Sequence, residues 1–168
     1  MLVNNAGIQR AVDFTKGTDD LLSGEDEVET NLSAPIHLCA LFIPYLIKQP
    51  EAVIVNVSSG LGFVPLAMMP IYCATKAALH SFSLSLRHQL RKSSVKVVEL
   101  IPPTVDTELD HGRRGGSYRG IPASEVAEAA LAGLARDEFE IAVGQALGLS
   151  SANRPDAGQM FQRMNGDR

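Results

Sequence analysis

The residue types that could do chemistry stand together at Ile71-Tyr72-Cys73-Ala74-Thr75-Lys76. Tyr72 and Lys76 are four positions apart at the start of a helical pattern, a spacing that stacks both side chains on one helix face. An unperturbed phenol titrates at about pH 10. An ammonium beside it favours the phenolate and brings proton exchange nearer neutrality, as a general acid or base requires. The same spacing also suits a buried tyrosine below a solvated lysine, so the surrounding elements must decide.

Those elements alternate. Met1-Leu2-Val3 is an apolar run that stops at Asn4-Asn5-Ala6-Gly7, which reads as a buried strand ending in a small-residue turn. A strand this abrupt predicts that the chain begins part-way through a larger domain. Thr15 to Asp20 reads as loop, and Ser23 followed by Asp26 as a helix start. Val28, Leu32, Ile36, Cys39, Phe42 and Ile43 recur at helical steps, with a kink expected near Asn31–Pro35 because Pro35 interrupts the pattern. Ala52–Val57 is an apolar strand of the kind covered on both faces, followed by Ser58-Ser59-Gly60-Leu61-Gly62. A helix is expected from Tyr72 to about Lys92, with Ala77, Ala78, Phe82, Leu86 and Leu90 as its apolar stripe. Val95–Ile101 is a third strand, broken by Pro102-Pro103-Thr104-Val105-Asp106-Thr107. Glu108–Gly120 reads as a mobile basic loop, Ser124 opens an alanine-rich helix, and Phe139–Val143 is a last short strand. Beyond Gly144 the pattern weakens to helical turns around Pro155–Met164.

This alternation predicts a parallel α/β sheet with right-handed crossovers. Ligands of such sheets sit outside the carboxyl ends of the strands. Asn4-Asn5, Ser58-Ser59 and Pro102–Thr107 all follow strands, and Tyr72 and Lys76 open a helix on the same rim. One site is therefore expected there.

At these residues the chain resembles the short-chain dehydrogenase/reductases. Asn4-Asn5-Ala6-Gly7 is similar to the family's Asn-Asn-Ala-Gly turn, and Asn31 in Thr30-Asn31-Leu32 falls at its catalytic asparagine. Ser59 lies thirteen residues before Tyr72, the family spacing for its serine, and Tyr72 with Lys76 matches its Tyr-x-x-x-Lys pair. Pro102–Thr107 resembles Pro-Gly-x-x-x-Thr, with Pro103 in place of the glycine. Ser58–Pro65, Pro102–Thr107 and Glu140–Gly144 resemble a bacterial and fungal subgroup named for a D-alanine/lipoteichoic-acid operon. The resemblance covers residues 1 to about 145, with 146–168 as a tail. It implies the C-terminal part of a Rossmann-like doubly wound sheet. The first βαβαβ half is absent from the sequence, on the order of 80 residues, and with it the glycine-rich phosphate loop.

The resemblance further implies an NAD(P)(H)-dependent oxidoreductase that exchanges a hydride with a small-molecule carbonyl or secondary alcohol. Tyr72 would be the acid or base, Lys76 its helper, Ser59 the group that polarises the substrate oxygen, and Asn31 the support of a water relay. NAD or NADP would meet Asn4, Ala6, Gly7, Tyr72, Lys76, Pro102, Thr104, Val105 and Thr107. Asn4 and Asn5 could equally tie strand ends together, and Thr104 could simply cap a turn. Homo-oligomerisation is implied through the helices at 31–48 and 72–92. The alternative is a non-catalytic fragment, and a chain without the phosphate loop is expected to bind NAD(P)H poorly.

Composition fits a single globular domain. Net charge is -4, which argues against a dedicated nucleic-acid binder. Cys39 and Cys73 have neither a disulfide framework nor metal-ligand spacing, and they suggest a reducing, cytoplasmic setting. The longest apolar run contains Pro44 and is too short for a bilayer.

Overall fold

The computed structural model describes residues 1–22, 24, 26–107, 109, 120–151 and 163. Ser23, the expected turns around Pro155–Met164 apart from Arg163, and Glu108–Gly120 apart from Leu109 and Gly120 lie outside them.

The four strands are β1 (Leu2–Asn4), β2 (Ala52–Val57), β3 (Val95–Ile101) and β4 (Glu140–Ala142). They form one sheet in the order β1-β2-β3-β4, and every pairing is parallel. In register, Asn4 lies beside Asn56, and Asn56 beside Glu99. β2 and β3 match the expected spans because both are covered on both faces, which makes them continuous apolar runs.

On one face, α2 (Ala34–Leu46) and α3 (Pro70–Leu90) cover a core of Cys39, Ile54, Leu86, Val95 and Val97. On the other, α4 (Ala123–Ala135) covers Val55, Val57, Val98, Leu100 and Ile141 through Val126, Ala130 and Leu134. Helices on both faces make the sheet doubly wound. A short helix, α5 (Gln145–Ser150), follows β4 where the sequence pattern fades, and Ala146 on it is fully buried.

One local expectation is corrected and two are refined. Thr15–Asp20 is not loop but a 3₁₀ turn at Phe14–Lys16 leading into α1 (Thr18–Leu22). The cap before the second helical segment is Asp26, whose Oδ1 accepts from the N–H groups of Val28 and Glu29 at 2.9 and 3.0 Å. The irregularity expected at Asn31–Pro35 is a π-helical turn at Glu29–Ser33, in which Ala34 N–H reaches back to Glu29 O. Pro35 follows it directly, inside a helix that runs without a break from Glu27 to Leu46, so its missing N–H leaves a carbonyl one turn back without a helical partner.

Candidate active site

The site is assembled at the carboxyl ends of the strands. α3 begins at Pro70, which fixes φ for the first turn and puts Tyr72 and Lys76 one turn apart on its buried side. That side continues through Leu79, Ser83 and Leu86; of the expected stripe, Leu86 is buried, Phe82 and Leu90 pack half-buried against the same core, and Ala77 and Ala78 are half-buried. The polar positions on it have partners in the sheet. Ser83 Oγ accepts from Asn56 Nδ2 at 2.9 Å, and His80 Nδ1 lies 2.7 Å from the buried Glu99 carboxylate. These contacts fix how far α3 slides along the sheet, and so where Tyr72 and Lys76 stand.

Lys76 is only 4% exposed, and its Nζ donates to Val57 O, at the end of β2, at 2.8 Å. The same Nζ lies 5.7 Å from the centre of the Tyr72 ring. Burial lowers its pKa from the ordinary 10.5 to about 8. An ammonium has three N–H donors, so one is spent on Val57 and two remain. Gly7 borders this group. A Cβ there would stand 3.6 Å from Lys76 Nζ and 3.3 Å from Asn31 Oδ1, so the turn after β1 leaves space beside the lysine that a side chain would fill.

Ser59 caps the 3₁₀ turn at Gly60–Gly62, and its Oγ accepts from Leu61 N–H at 3.2 Å. With that lone pair used, the hydroxyl proton is directed elsewhere. Gly62 lets this turn lie directly on α3, since a Cβ there would be 3.0 Å from the carbonyl carbon of Lys76.

A cavity of about 750 Å³ opens among these elements. Its walls include Ser59, Tyr72, Lys76, Ala6, Gly7, Pro102, Thr104, Val105 and Thr107. Asn4 and Asn31 stand apart from the walls. Asn4 Nδ2 donates to Asn56 Oδ1 at 2.8 Å, tying β1 to β2. Asn31 clasps the backbone of Ile8, accepting from its N–H and donating to its C=O, both at 2.8 Å, and also donates to Thr75 Oγ1. Its side chain therefore shapes the turn after β1. No motif drew attention to Gln9, Val126, Gln145 or Leu149, which also form walls. The last three depend on how α4 and α5 dock, which no local pattern encodes.

The loop after β3 is pinched at its base. Val105 bridges Ile121, Ile121 N–H donates to Thr104 O at 3.1 Å, and Asp106 N–H to Ile121 O at 2.9 Å. Gly120 is required there, because a Cβ would fall 2.5 Å from the carbonyl carbon of Val105.

The remaining titratable groups have structural surroundings. Cys39 and Cys73 are buried, and burial pushes both thiols above their usual pKa. Among the described residues, no three His, Cys, Asp or Glu side chains converge as a metal site would require. No helix among them is long and apolar enough to cross a membrane.

A sequence model of the short chain dehydrogenase family matches residues 1–116. The chain is 55% identical to an uncharacterized oxidoreductase, DltE, of Bacillus subtilis, across 98% of this chain and 67% of that protein. It is 32% identical to an uncharacterized oxidoreductase of Staphylococcus epidermidis, across 78% of this chain and 56% of the relative. The chain thus spans about two thirds of the first relative, and the match to the second covers little more than half of it. Its fold matches a crystal structure of a short chain dehydrogenase from Burkholderia cenocepacia in complex with NADP. There the TM-score is 0.84 at 27% identity, over 97% of this chain and 69% of the other. With a doubly wound parallel sheet, a Tyr-x-x-x-Lys pair on the ligand rim and a family match over more than half its length, the chain belongs to the short-chain dehydrogenase/reductase family.

Proposed function

We propose that this chain carries the proton-transfer and carbonyl-orienting groups of an NAD(P)(H)-dependent oxidoreductase acting on a carbonyl or secondary alcohol. The observation that carries this reading is the shared wall of Ser59, Tyr72 and Lys76, in which one lone pair of Ser59 Oγ accepts from Leu61 N–H. In the reducing direction, Ser59 donates its O–H to the substrate oxygen, and Tyr72 delivers the proton as negative charge develops there. In the oxidising direction Tyr72 takes the proton back. Lys76 supplies a buried positive charge beside the phenol.

The space beside Lys76 left by Gly7 and the two remaining ammonium donors fit the hydroxyl-rich ribose of a nicotinamide nucleotide. The Burkholderia cenocepacia relative, solved with NADP, supports that class of cofactor. When bound, the nicotinamide supplies or accepts the hydride. Ala6, Gly7, Pro102, Thr104, Val105 and Thr107 are the wall residues proposed to hold it. Asn31 acts as a positioning residue, because it sets the turn that bears Ala6 and Gly7. The exposed apolar face of α2, with Leu41 and Tyr45, is proposed to pair with a second copy.

The test is nucleotide oxidation at 340 nm with a panel of aldehydes and ketones, using NADPH and NADH in turn. Ketone-dependent oxidation is expected at high nucleotide concentration, in keeping with the weak NAD(P)H binding expected above, and Tyr72→Phe should lower it by about 100-fold or more. Equal rates in wild type and variant would overturn the role of Tyr72.

A further inference from the structure

One side of the cavity has no task in the chemistry above. β4 ends at Ala142, and Gly144, at φ 54°, turns the chain back into α5. That helix is anchored: Ala146 is fully buried, and its N–H donates to Val143 O at 3.0 Å. From this anchor α5 lies across the turn that follows Ser59. A Cβ on Gly60 would fall 2.8 Å from Leu149 Cδ1 and 3.3 Å from Ala146 Cβ, so the tip of Leu149 rests on the residue next to Ser59.

Leu149 is only half-buried and lines the same cavity as Ser59 and Tyr72, so part of its surface is open to a bound molecule. Leu61 lines that cavity too, and its N–H is tied to Ser59 Oγ at 3.2 Å. Two leucines therefore stand beside the hydroxyl that orients the carbonyl. A carbonyl carbon carries two substituents, and one of them meets this pair. An apolar substituent sheds water there at a gain, whereas a charged one would lose its hydration without a counter-ion. Lys76 is the one charged side chain among the described wall residues, and its place is beside Tyr72, with its remaining donors assigned to the nucleotide.

We propose that Leu149 and Leu61 are specificity residues that hold an apolar arm of the substrate. The preferred substrates are then neutral carbonyl compounds or alcohols with an alkyl or aryl arm, rather than keto acids. This role rests on the carbonyl chemistry proposed above.

Two methyl ketones with the same number of non-hydrogen atoms, 2-octanone and 5-oxohexanoate, test it. Their dissociation constants from the full chain are measured by ligand-observed NMR at high NADPH concentration. Wild type should bind the octanone about tenfold more tightly. Leu149→Asn keeps the size of the side chain but removes its apolar surface, and should lower that ratio by about threefold or more. Leu149→Met, still apolar, and Leu147→Asn, on the exposed side of the same helix, should keep it. If circular dichroism shows that Leu149→Asn does not fold, Leu61→Asn decides in its place. A ratio near one in wild type, a ratio unchanged in the folded asparagine variant, or an equal fall in Leu147→Asn overturns the inference. Loss of the reductase reading would look different: no ketone-dependent NADPH oxidation, with the binding ratio and its response to Leu149→Asn intact.

Discussion

At the scale of single residues, Lys76 carries the largest consequence. Its folded pKa of about 8 lies below the ordinary 10.5, so between those values the folded chain binds fewer protons than the unfolded one. The cost of burying the charge is present in full below pH 8 and is released as the pH rises through that window. At ~1.4 kcal/mol per unit of pKa, the release amounts to about 3 kcal/mol. The unfolding free energy of wild type relative to Lys76→Met should therefore rise by about that amount between pH 7.5 and 10.5. Urea melts at several pH values measure the difference, in a Tyr72→Phe background so that the neighbouring phenol's titration drops out, and a flat difference would refute it. The thiols give a simpler test. Cys39 and Cys73 are 1% and 3% exposed, and their raised pKa values disfavour the reactive thiolate. Neither should react with a thiol reagent at pH 7.5 until the chain is unfolded.

At the scale of elements, the site depends on turns lying close against helices. Gly62→Ala would drive the turn bearing Ser59 off the backbone of α3. We expect a stability loss of about 1–3 kcal/mol from the overpacking. Activity should fall further than stability explains, because Ser59 and Tyr72 separate; thermal melts and initial rates measured together will show whether it does. Asn31→Ala would strand the N–H and C=O of Ile8, and each lost bond leaves a buried group at about 1–3 kcal/mol. The interior strands were legible in the sequence because residues such as Ile54 and Val98, buried from both sides, must be apolar. The π turn was legible only as an irregularity. Asn31 within it serves a turn twenty-three residues earlier, and distant pairing of that kind leaves no local periodicity. α1 was missed because its sequence, Thr18-Asp19-Asp20-Leu21-Leu22, is short and mostly polar.

At the scale of the molecule, α2 shows what a periodic pattern omits. Cys39 and Ile43 pack on the sheet as expected, yet Val28 and Phe42 from the same pattern are 46% and 41% exposed. The segment is apolar on more than one side, with Leu41 and Tyr45 at 60% and 64%, and periodicity alone cannot say which side meets the sheet. A second apolar face is what pairing with another copy would use. Light scattering should give at least twice the chain mass, and Leu41→Glu should return it to one; a monomeric wild type would remove the idea. The pinched base of the loop after β3 has a consequence for variation. Thr104, Asp106 and Ile121 close it through backbone hydrogen bonds, which most side-chain changes leave intact. That fixed socket should tolerate exchange of the sequence between 107 and 119. Chimeras that exchange it should fold with near-native melting temperatures while taking up different substrates, so new specificities can be sampled without rebuilding the frame.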